Sequence, residues 1–254
     1  VQGTRVVVVG TGKAAGSLMV SLAAAGVSAR QVSSRGPLEL RDVDVVLVAV
    51  RDTVIADVAA QLDVDAQVIV AHVAGSRGRV VLPSTVRRGV FHPLASLDGK
   101  TAVPTQTLCA TDGDDDDVDA VLQHLARTLH LVPHRVRDDD RVRYHAGAVL
   151  AGNLATALLQ LGIEQLVQVG IDVDVARISL GRLLLSTAQR AIDAPLAQAA
   201  TGPVARGDIE TVRKHLEVLD DDDVALVYRR LSRVLVQQVQ PPGAAGKDWS
   251  LLDD

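Results

Sequence analysis

The opening of this sequence constrains its fold more than anything after it. Four valines, Val6 to Val9, run straight into Gly10-Thr11-Gly12-Lys13-Ala14-Ala15-Gly16. A β-branched run with no polar alternation marks a strand buried on both faces, and such strands belong to parallel sheets covered by helices on either side. The glycine string reads as G-x-G-x-x-A. Its first glycine makes the tight turn, its second lets backbone approach a pyrophosphate, and the helix that follows offers free N–H groups to negative charge. A small-residue helix from Lys13 to Ala25, closed by Gly26, and a second strand from Ala29 to Ser33 complete the unit. The first thirty-five residues therefore read as a dinucleotide-binding β-α-β unit. Gly10, Thr11, Gly12, Lys13, Ala14 and Ala15 are expected against the dinucleotide.

The end of the second strand selects the dinucleotide. A site for NAD usually carries Asp or Glu there, to bind the ribose hydroxyls. This chain has Ser33-Ser34-Arg35. Two hydroxyls and a guanidinium suit a 2′-phosphate and leave nothing to repel it, so the expected cofactor is NADP(H). Val50 and Arg51 end a third strand, Val43 to Val50. Ligands in open α/β sheets lie outside the carboxyl ends of the strands, so both are expected cofactor neighbours. Asp52 reads as a cap for a helix from Thr53 to Leu62.

Further strands are expected at Gln67 to Ala71, Val90 to His92 and Thr107 to Thr111. The acidic run Asp112 to Asp117 reads as a solvated loop capping a following helix; it lacks the spacing of a calcium loop. Past Asp138 only helices are legible, at Val142 to Val169, Val173 to Ala191, Asp208 to Leu219 and Asp222 to Val239. The expected fold class is α/β, an N-terminal Rossmann domain with a mainly parallel sheet followed by an all-α C-terminal domain. The expected boundaries are 1–136 for the first domain, 137–240 for the helical one and 241–254 for a loose tail.

Composition narrows the function. Aromatics are 2% of the chain and the net charge is −5, which argues against a stacking platform or a phosphate-backbone partner such as nucleic acid. Cys109 is the single cysteine, so an intramolecular disulfide and a cysteine metal site are both excluded. The seven histidines lack metal-ligand spacing, and no metal is expected. No signal peptide and no membrane-spanning run is expected, which fits a cytoplasmic protein.

Three segments fall where a nicotinamide and its substrate should meet: Ala71-His72-Val73-Ala74-Gly75-Ser76, Phe91-His92-Pro93-Leu94, and Tyr144-His145 with Asn153 two turns later. His92 precedes a proline, which holds it in extended backbone at a strand end. From there it can donate to a substrate oxygen or exchange a proton near neutral pH. His145, Val149 and Asn153 share one i, i+4 ridge of the expected long helix. Helix packing with a satisfied polar pair explains that ridge equally well. His92, His145 and Asn153 are the candidate catalytic residues; His72 reads as a residue turned into the sheet.

These segments, followed by Thr201-Gly202-Pro203-Val204-Ala205-Arg206-Gly207-Asp208, resemble a Rossmann-like family whose helical C-terminal half is a domain of unknown function. That family is similar in fold to 6-phosphogluconate dehydrogenase, pyrroline-5-carboxylate reductase and ketopantoate reductase. The resemblance implies a C-terminal domain of the 6-phosphogluconate dehydrogenase type and an active site in an interdomain cleft. It also implies a homodimer built through the helical domains, and Ala74 beside the nicotinamide. Arg206 would reach the cleft or the partner, and Asp208, read alone, is a helix N-cap. The family usually has serine where this chain has Ala74 and often where it has Gly152, and its third fingerprint glycine is here Ala15, with Gly16 next.

The expected activity is NADPH-dependent reduction of a small C=O or C=N substrate, by fold analogy a 2-oxo acid of the ketopantoate type. Two alternatives stand beside it. A dehydrogenase like prephenate or arogenate dehydrogenase also carries a His-Pro pair after a sheet strand. A non-catalytic NADP-binding sensor or structural protein is the other, supported by Ala74 and by the lack of a lysine near the expected cleft.

Overall fold

The computed structural model describes residues 3–239 and 248–253. Its elements follow the expected alternation. Strand β1 (Arg5–Val9) leads through the glycine turn into α1 (Lys13–Ala24) and back to β2 (Ser28–Val32). Then come β3 (Leu38–Glu39), β4 (Val45–Val48), α2 (Ile55–Ala60), β5 (Leu62–Asp63) and β6 (Ile69–His72). The run closes with β7 (Arg87–Pro93), β8 (Leu108–Gly113), α3 (Asp116–Thr128) and β9 (Val132–Arg135). The main sheet has the order β2-β1-β4-β6-β7-β8-β9, antiparallel between β7 and β8 and parallel elsewhere.

The valine run explains the layering. Side chains alternate faces along a strand, so Val6 and Val8 join one core with Leu18 and Leu22 of α1 and Leu122 of α3. Val7 and Val9 join the opposite core with Ile55 and Val58 of α2. All four valines are buried. Register is fixed by this double burial, because a one-residue slip would exchange the two cores.

Three expectations change in this half. The pair β3 with β5 forms a separate two-stranded sheet, and β9 adds a parallel strand at the edge of the main one; both are too short or too polar to announce themselves. Asp52 opens a short 3₁₀ turn without capping it by a side-chain hydrogen bond. The acidic run is not simply solvated. Asp115 caps α3, accepting from Val118 N–H at 2.8 Å, but Asp112 is fully buried between Arg79 and Arg135.

The helical half contains α4 (Arg141–Ala151), α5 (Asn153–Gln168), α6 (Val173–Asp193), α7 (Leu196–Ala199), α8 (Pro203–Arg206), α9 (Ile209–Val218) and α10 (Asp222–Val239). The single helix expected over 142–169 is two helices. Gly152, at φ −101° and ψ −81°, breaks it. The stretch 138–168 is long and apolar enough by composition to cross a membrane. The break leaves helices of 11 and 16 residues, each short of the roughly 20 that a bilayer core requires.

The chain separates into two compact units between Asn153 and Leu154. The strands end near residue 136 as expected, but α4 belongs with the sheet, because Arg141 is fully buried and Tyr144 bonds to β7. In the second unit Gly207, at φ +69°, ends α8, and Asp208 caps α9, accepting from Thr211 N–H at 3.1 Å. The loose tail expected over 241–254 is corrected where it is described. Leu252 is buried and packs with Val204 and Val212, and Trp249 lies against the same cluster. Residues 240–247 and 254 lie outside the described residues.

Candidate active site

The glycine turn is built by contact rather than by preference. Gly10 has φ +132°, a backbone conformation L side chains rarely adopt, and a Cβ there would run into the Ala49 carbonyl at the end of β4. The turn is tied to β2 on both sides: Gly10 N–H donates to Val32 O at 2.8 Å, and the Gln31 side-chain amide donates to Gly10 O at 2.7 Å. Gly12 is the N-cap of α1. It carries no capping side chain, and no acidic residue stands in the first turn, so the first N–H groups remain available to an anion. A Cβ on Gly12 would meet no protein atom within 4 Å. Gly16 answers the question of the missing third glycine. The loop between β7 and β8 crosses α1 there, a Cβ would strike the Gly99 carbonyl, and Gly99 N–H donates to Ser17 Oγ at 3.1 Å.

Outside the carboxyl ends of β1, β2 and β4 lies a cavity of about 570 Å³. Gly10, Thr11, Gly12, Lys13 and Ala14 form one wall, Ser33, Ser34 and Arg35 a second, and Ala49, Val50, Arg51 and Val54 a third. It sits where the chain leaves β1 toward β2 and leaves β4 in the opposite direction, the switch point at which open α/β sheets hold ligands. Arg35 is positioned by its own loop, with its N–H donating to Ser33 Oγ at 3.1 Å.

Three strand positions along the same sheet edge, roughly 14 Å at about 4.8 Å per strand, β7 ends in His92-Pro93. Here three segments converge. His92 Nδ1 lies 2.8 Å from Tyr144 Oη on α4, the rings edge to face. The His92 and His145 ring centroids are 6.3 Å apart. Between them passes Gly75, where a Cβ would sit 2.6 Å from His145 Nδ1 and 2.9 Å from His92 Nε2. Only glycine lets the loop after β6 run between the two imidazoles. His145 Nδ1 is buried with no hydrogen-bond partner among the described residues.

Beneath this group lies Arg141, fully buried, whose guanidinium has no hydrogen-bond partner among the described residues. Burial, then the charge of Arg141, pulls the His92 imidazole down to about 4, so it is neutral at physiological pH. Burial pushes the Tyr144 phenol up to about 12, keeping its hydrogen in place. His72 behaves differently. It is fully buried at the end of β6 with both nitrogens engaged: Nδ1 accepts from Ala74 N–H at 3.2 Å and Nε2 stands 3.1 Å from Gly78 O.

The loop carrying Gly75 is anchored by charge. Arg79 pairs with Asp112, Asp114 and Asp138, and its backbone N–H donates to Asp138 Oδ1 at 3.0 Å. The loop is thereby tied to β8 and to the residues that open α4.

Ten of the expected cofactor residues line the one cavity: Gly10, Thr11, Gly12, Lys13, Ala14, Ser33, Ser34, Arg35, Val50 and Arg51. Ala15 and Ala74 do not line it; both are buried in the cores under the turn and the loop. His92 and His145 come together. Asn153 opens α5 beyond the Gly152 break, so it does not continue a regular helical ridge from His145. Sequence reasoning named Tyr144 and Gly75 only as neighbours. The clue to Tyr144 was its adjacency to His145 on the first turn of a helix; for Gly75 and Arg141 no local signal existed. A second cavity of about 480 Å³ lies within the helical unit, walled chiefly by apolar side chains, with His215 Nδ1 at 2.8 Å from Tyr228 Oη. Among the described residues no group of His, Cys, Asp and Glu has the arrangement of a metal site.

The model of a domain of unknown function, DUF2520, matches residues 107–235. No curated protein matches the chain. Among solved structures, a protein of Thermotoga maritima with no stated activity aligns at TM-score 0.73 and 20% identity, over 92% of this chain and 98% of that one. A Bacteroides fragilis protein provisionally named as an NADP oxidoreductase aligns at TM-score 0.70 and 21% identity, with the same coverage of 92% and 98%. A pyrroline carboxylate reductase of Plasmodium falciparum, solved with NADP bound, aligns at TM-score 0.59 and 9% identity over 91% of this chain and 98% of that one. At these identities the likeness is one of fold, a Rossmann domain followed by a helical domain.

Proposed function

We propose, starting from the fact that the chain belongs to the DUF2520 family, that it is an NADPH-dependent reductase of a small C=O or C=N compound. The observation that carries this reading is the cavity at the switch point of the sheet, with the glycine turn on one side and Ser33, Ser34 and Arg35 on the other. The residues fit the cofactor. Gly12 leaves open the space a pyrophosphate needs, the uncapped start of α1 faces negative charge, and Arg35 with two serine hydroxyls suits a 2′-phosphate. When bound, NADPH supplies a hydride to the substrate carbon.

The chain's own residues do the rest. Val50, Arg51 and the glycine turn hold and orient. His92, neutral and with Nε2 free of protein partners among the described residues, donates a hydrogen bond to the substrate atom that becomes negative. His145 and Asn153 are further candidates, and Ala74 lies under the loop. A small oxo acid or cyclic imino acid is the substrate class this reading favours. We further infer a homodimer through the helical unit, since Leu183, Leu184 and Leu185 of α6 and Leu154 and Leu158 of α5 all stand exposed. Light scattering after gel filtration reads the mass directly.

The test has two arms. NADPH should raise the melting temperature and NADH should do so far less; Arg35→Ala should weaken NADPH roughly tenfold or more while leaving NADH unchanged. NADPH oxidation is then followed across 2-oxo acids and cyclic imino acids, and NADP reduction with prephenate and arogenate. Absence of any NADPH stabilisation overturns the cofactor assignment. Tight binding without turnover on the whole panel turns the reading to an NADP-binding protein without catalysis. Turnover in the oxidative arm alone turns it to a dehydrogenase of the prephenate type.

A further inference from the structure

Tyr144 has no part in cofactor binding or hydride transfer, yet it makes the one protein hydrogen bond to the His92 ring among the described residues. The direction of that bond decides what His92 can do. A neutral imidazole has one N–H and one lone-pair nitrogen, and the hydrogen bond made by one nitrogen fixes the function of the other. If the Nδ1 hydrogen pointed at Tyr144, Nε2 would be a lone pair and would repel a substrate oxygen. If the phenol donates, Nε2 carries the hydrogen. Phenol is the stronger acid of the two and the imidazole nitrogen the stronger base, so the favoured arrangement is Tyr144 O–H to His92 Nδ1.

We propose that Tyr144 is a positioning residue: by donating its phenolic hydrogen to Nδ1, it fixes His92 as the Nε2–H tautomer and aims a neutral N–H donor across Gly75 into the reaction site. The geometry supports this in three ways. The bond is short, at 2.8 Å, and the two rings stand edge to face. Nε2 points to the opposite side, 2.9 Å from where a Gly75 side chain would begin, and glycine keeps that side clear. Arg141 lies below with its charge unpaired by hydrogen bonds, which disfavours a second proton on the ring. The proton stays on Nε2. His92 acts by hydrogen bonding to developing negative charge; where the product is an alkoxide, water supplies the proton that completes the alcohol. The proposal rests on the reductase reading for its purpose, but the tautomer does not depend on turnover.

The experiment is nitrogen-15 NMR of the imidazoles in the free full-length protein at pH 7, with His92 identified by its loss in His92→Gln. The expected result is a protonated Nε2 and a lone-pair Nδ1 for His92. Tyr144→Phe keeps the ring and removes only the hydroxyl. In that variant the Nε2–H preference should fall about fivefold or more, the worth of one ordinary hydrogen bond. NADPH binding, read by thermal shift, should not change. The opposite tautomer in the native protein overturns the proposal, and so does an unchanged Nε2–H preference in Tyr144→Phe. Where the tautomer is as expected but no substrate of the panel turns over, the reductase reading fails and the positioning role of Tyr144 stands. Where turnover is present but the tautomer is reversed, the positioning role fails and the reductase reading stands.

Discussion

His72 ties the stability of the site loop to pH. Its Nδ1 accepts from Ala74 N–H and its Nε2 faces the Gly78 carbonyl, so the ring bridges both ends of the loop that carries Gly75. Only the neutral Nε2–H form makes both bonds. A proton added to Nδ1 would set two donors against each other in a fully buried position. Burial accordingly pulls the His72 pKa down from 6.5 to about 4. The unfolded chain therefore takes up this proton first as pH falls. The stability it represents is fully present above about pH 6.5 and is lost as pH drops toward 4. The gap corresponds to roughly 3 kcal/mol at about 1.4 kcal/mol per pH unit for one proton.

The perturbation is His72→Asn, whose amide oxygen reaches near the Nδ1 position and can still accept from Ala74 N–H, but does not titrate. At pH 7 the variant loses the bond to Gly78 and some packing, about 1–3 kcal/mol by the usual cost of a buried polar partner. On acidification the native protein should lose roughly 3 kcal/mol that the variant does not, so the two urea-unfolding curves should converge between pH 6.5 and pH 4. Because the chain has two compact units, deuterium exchange at Ala74 and Gly75 supplies the local reading. His92, with its pKa also near 4, contributes the same sign to both proteins and cancels in the comparison. Parallel stability curves for the two proteins across this pH window would refute the reasoning.

Other outcomes follow from single contacts. Gly16→Ala should push the Gly99 loop off α1 and cost about 1–3 kcal/mol in urea unfolding, as overpacking does; a neutral result would mean the loop shifts freely. Gly10→Ala should abolish NADPH stabilisation, since the turn must open to clear the Ala49 carbonyl. Burial pushes the Cys109 thiol far above its ordinary pKa, so iodoacetamide should label it only after unfolding, as mass spectrometry will show. Asp208→Ala should lower the melting temperature by removing the α9 cap, and Asp208→Asn should restore most of it.

The sheet was legible wherever burial on both faces suppressed polar alternation. Val6 to Val9 and Val45 to Val48 are such runs, and each became a strand within two residues of its expected bounds. The cofactor wall was legible for a related reason: the glycines and the Ser33–Arg35 loop are contiguous in sequence, so local chemistry suffices to read them. Strand β9 was not legible, because Val132-Pro133-His134-Arg135 lies on the sheet edge and keeps polar side chains outside. The break at Gly152 was hidden because glycine inside an apolar helical pattern costs only about 1 kcal/mol and is often tolerated. Tyr144, Gly75 and Arg141 were invisible for a deeper reason. Their meaning lies in contacts between segments about 20 to 70 residues apart, and no periodicity encodes those.

Those same contacts tie the ion pairs around Arg79 to the loop that passes between the imidazoles. Arg79 of the loop and the nearby Arg88 and Arg135 are committed to Asp112, Asp114, Asp116 or Asp138. Asp112 is fully buried between two guanidinium groups, and such a pair is costly to break once formed. Removing Arg79 would strand that carboxylate and free the loop. Gly75 would then no longer be held between His92 and His145, although no residue touching either imidazole had been altered. The network thus ties the loop after β6 to β8 and to the residues that open α4. A neutral imidazole carries little Coulomb attraction of its own, so its contribution depends on placement. The ion pairs supply that placement from a distance at which their own charges do not compete for the substrate.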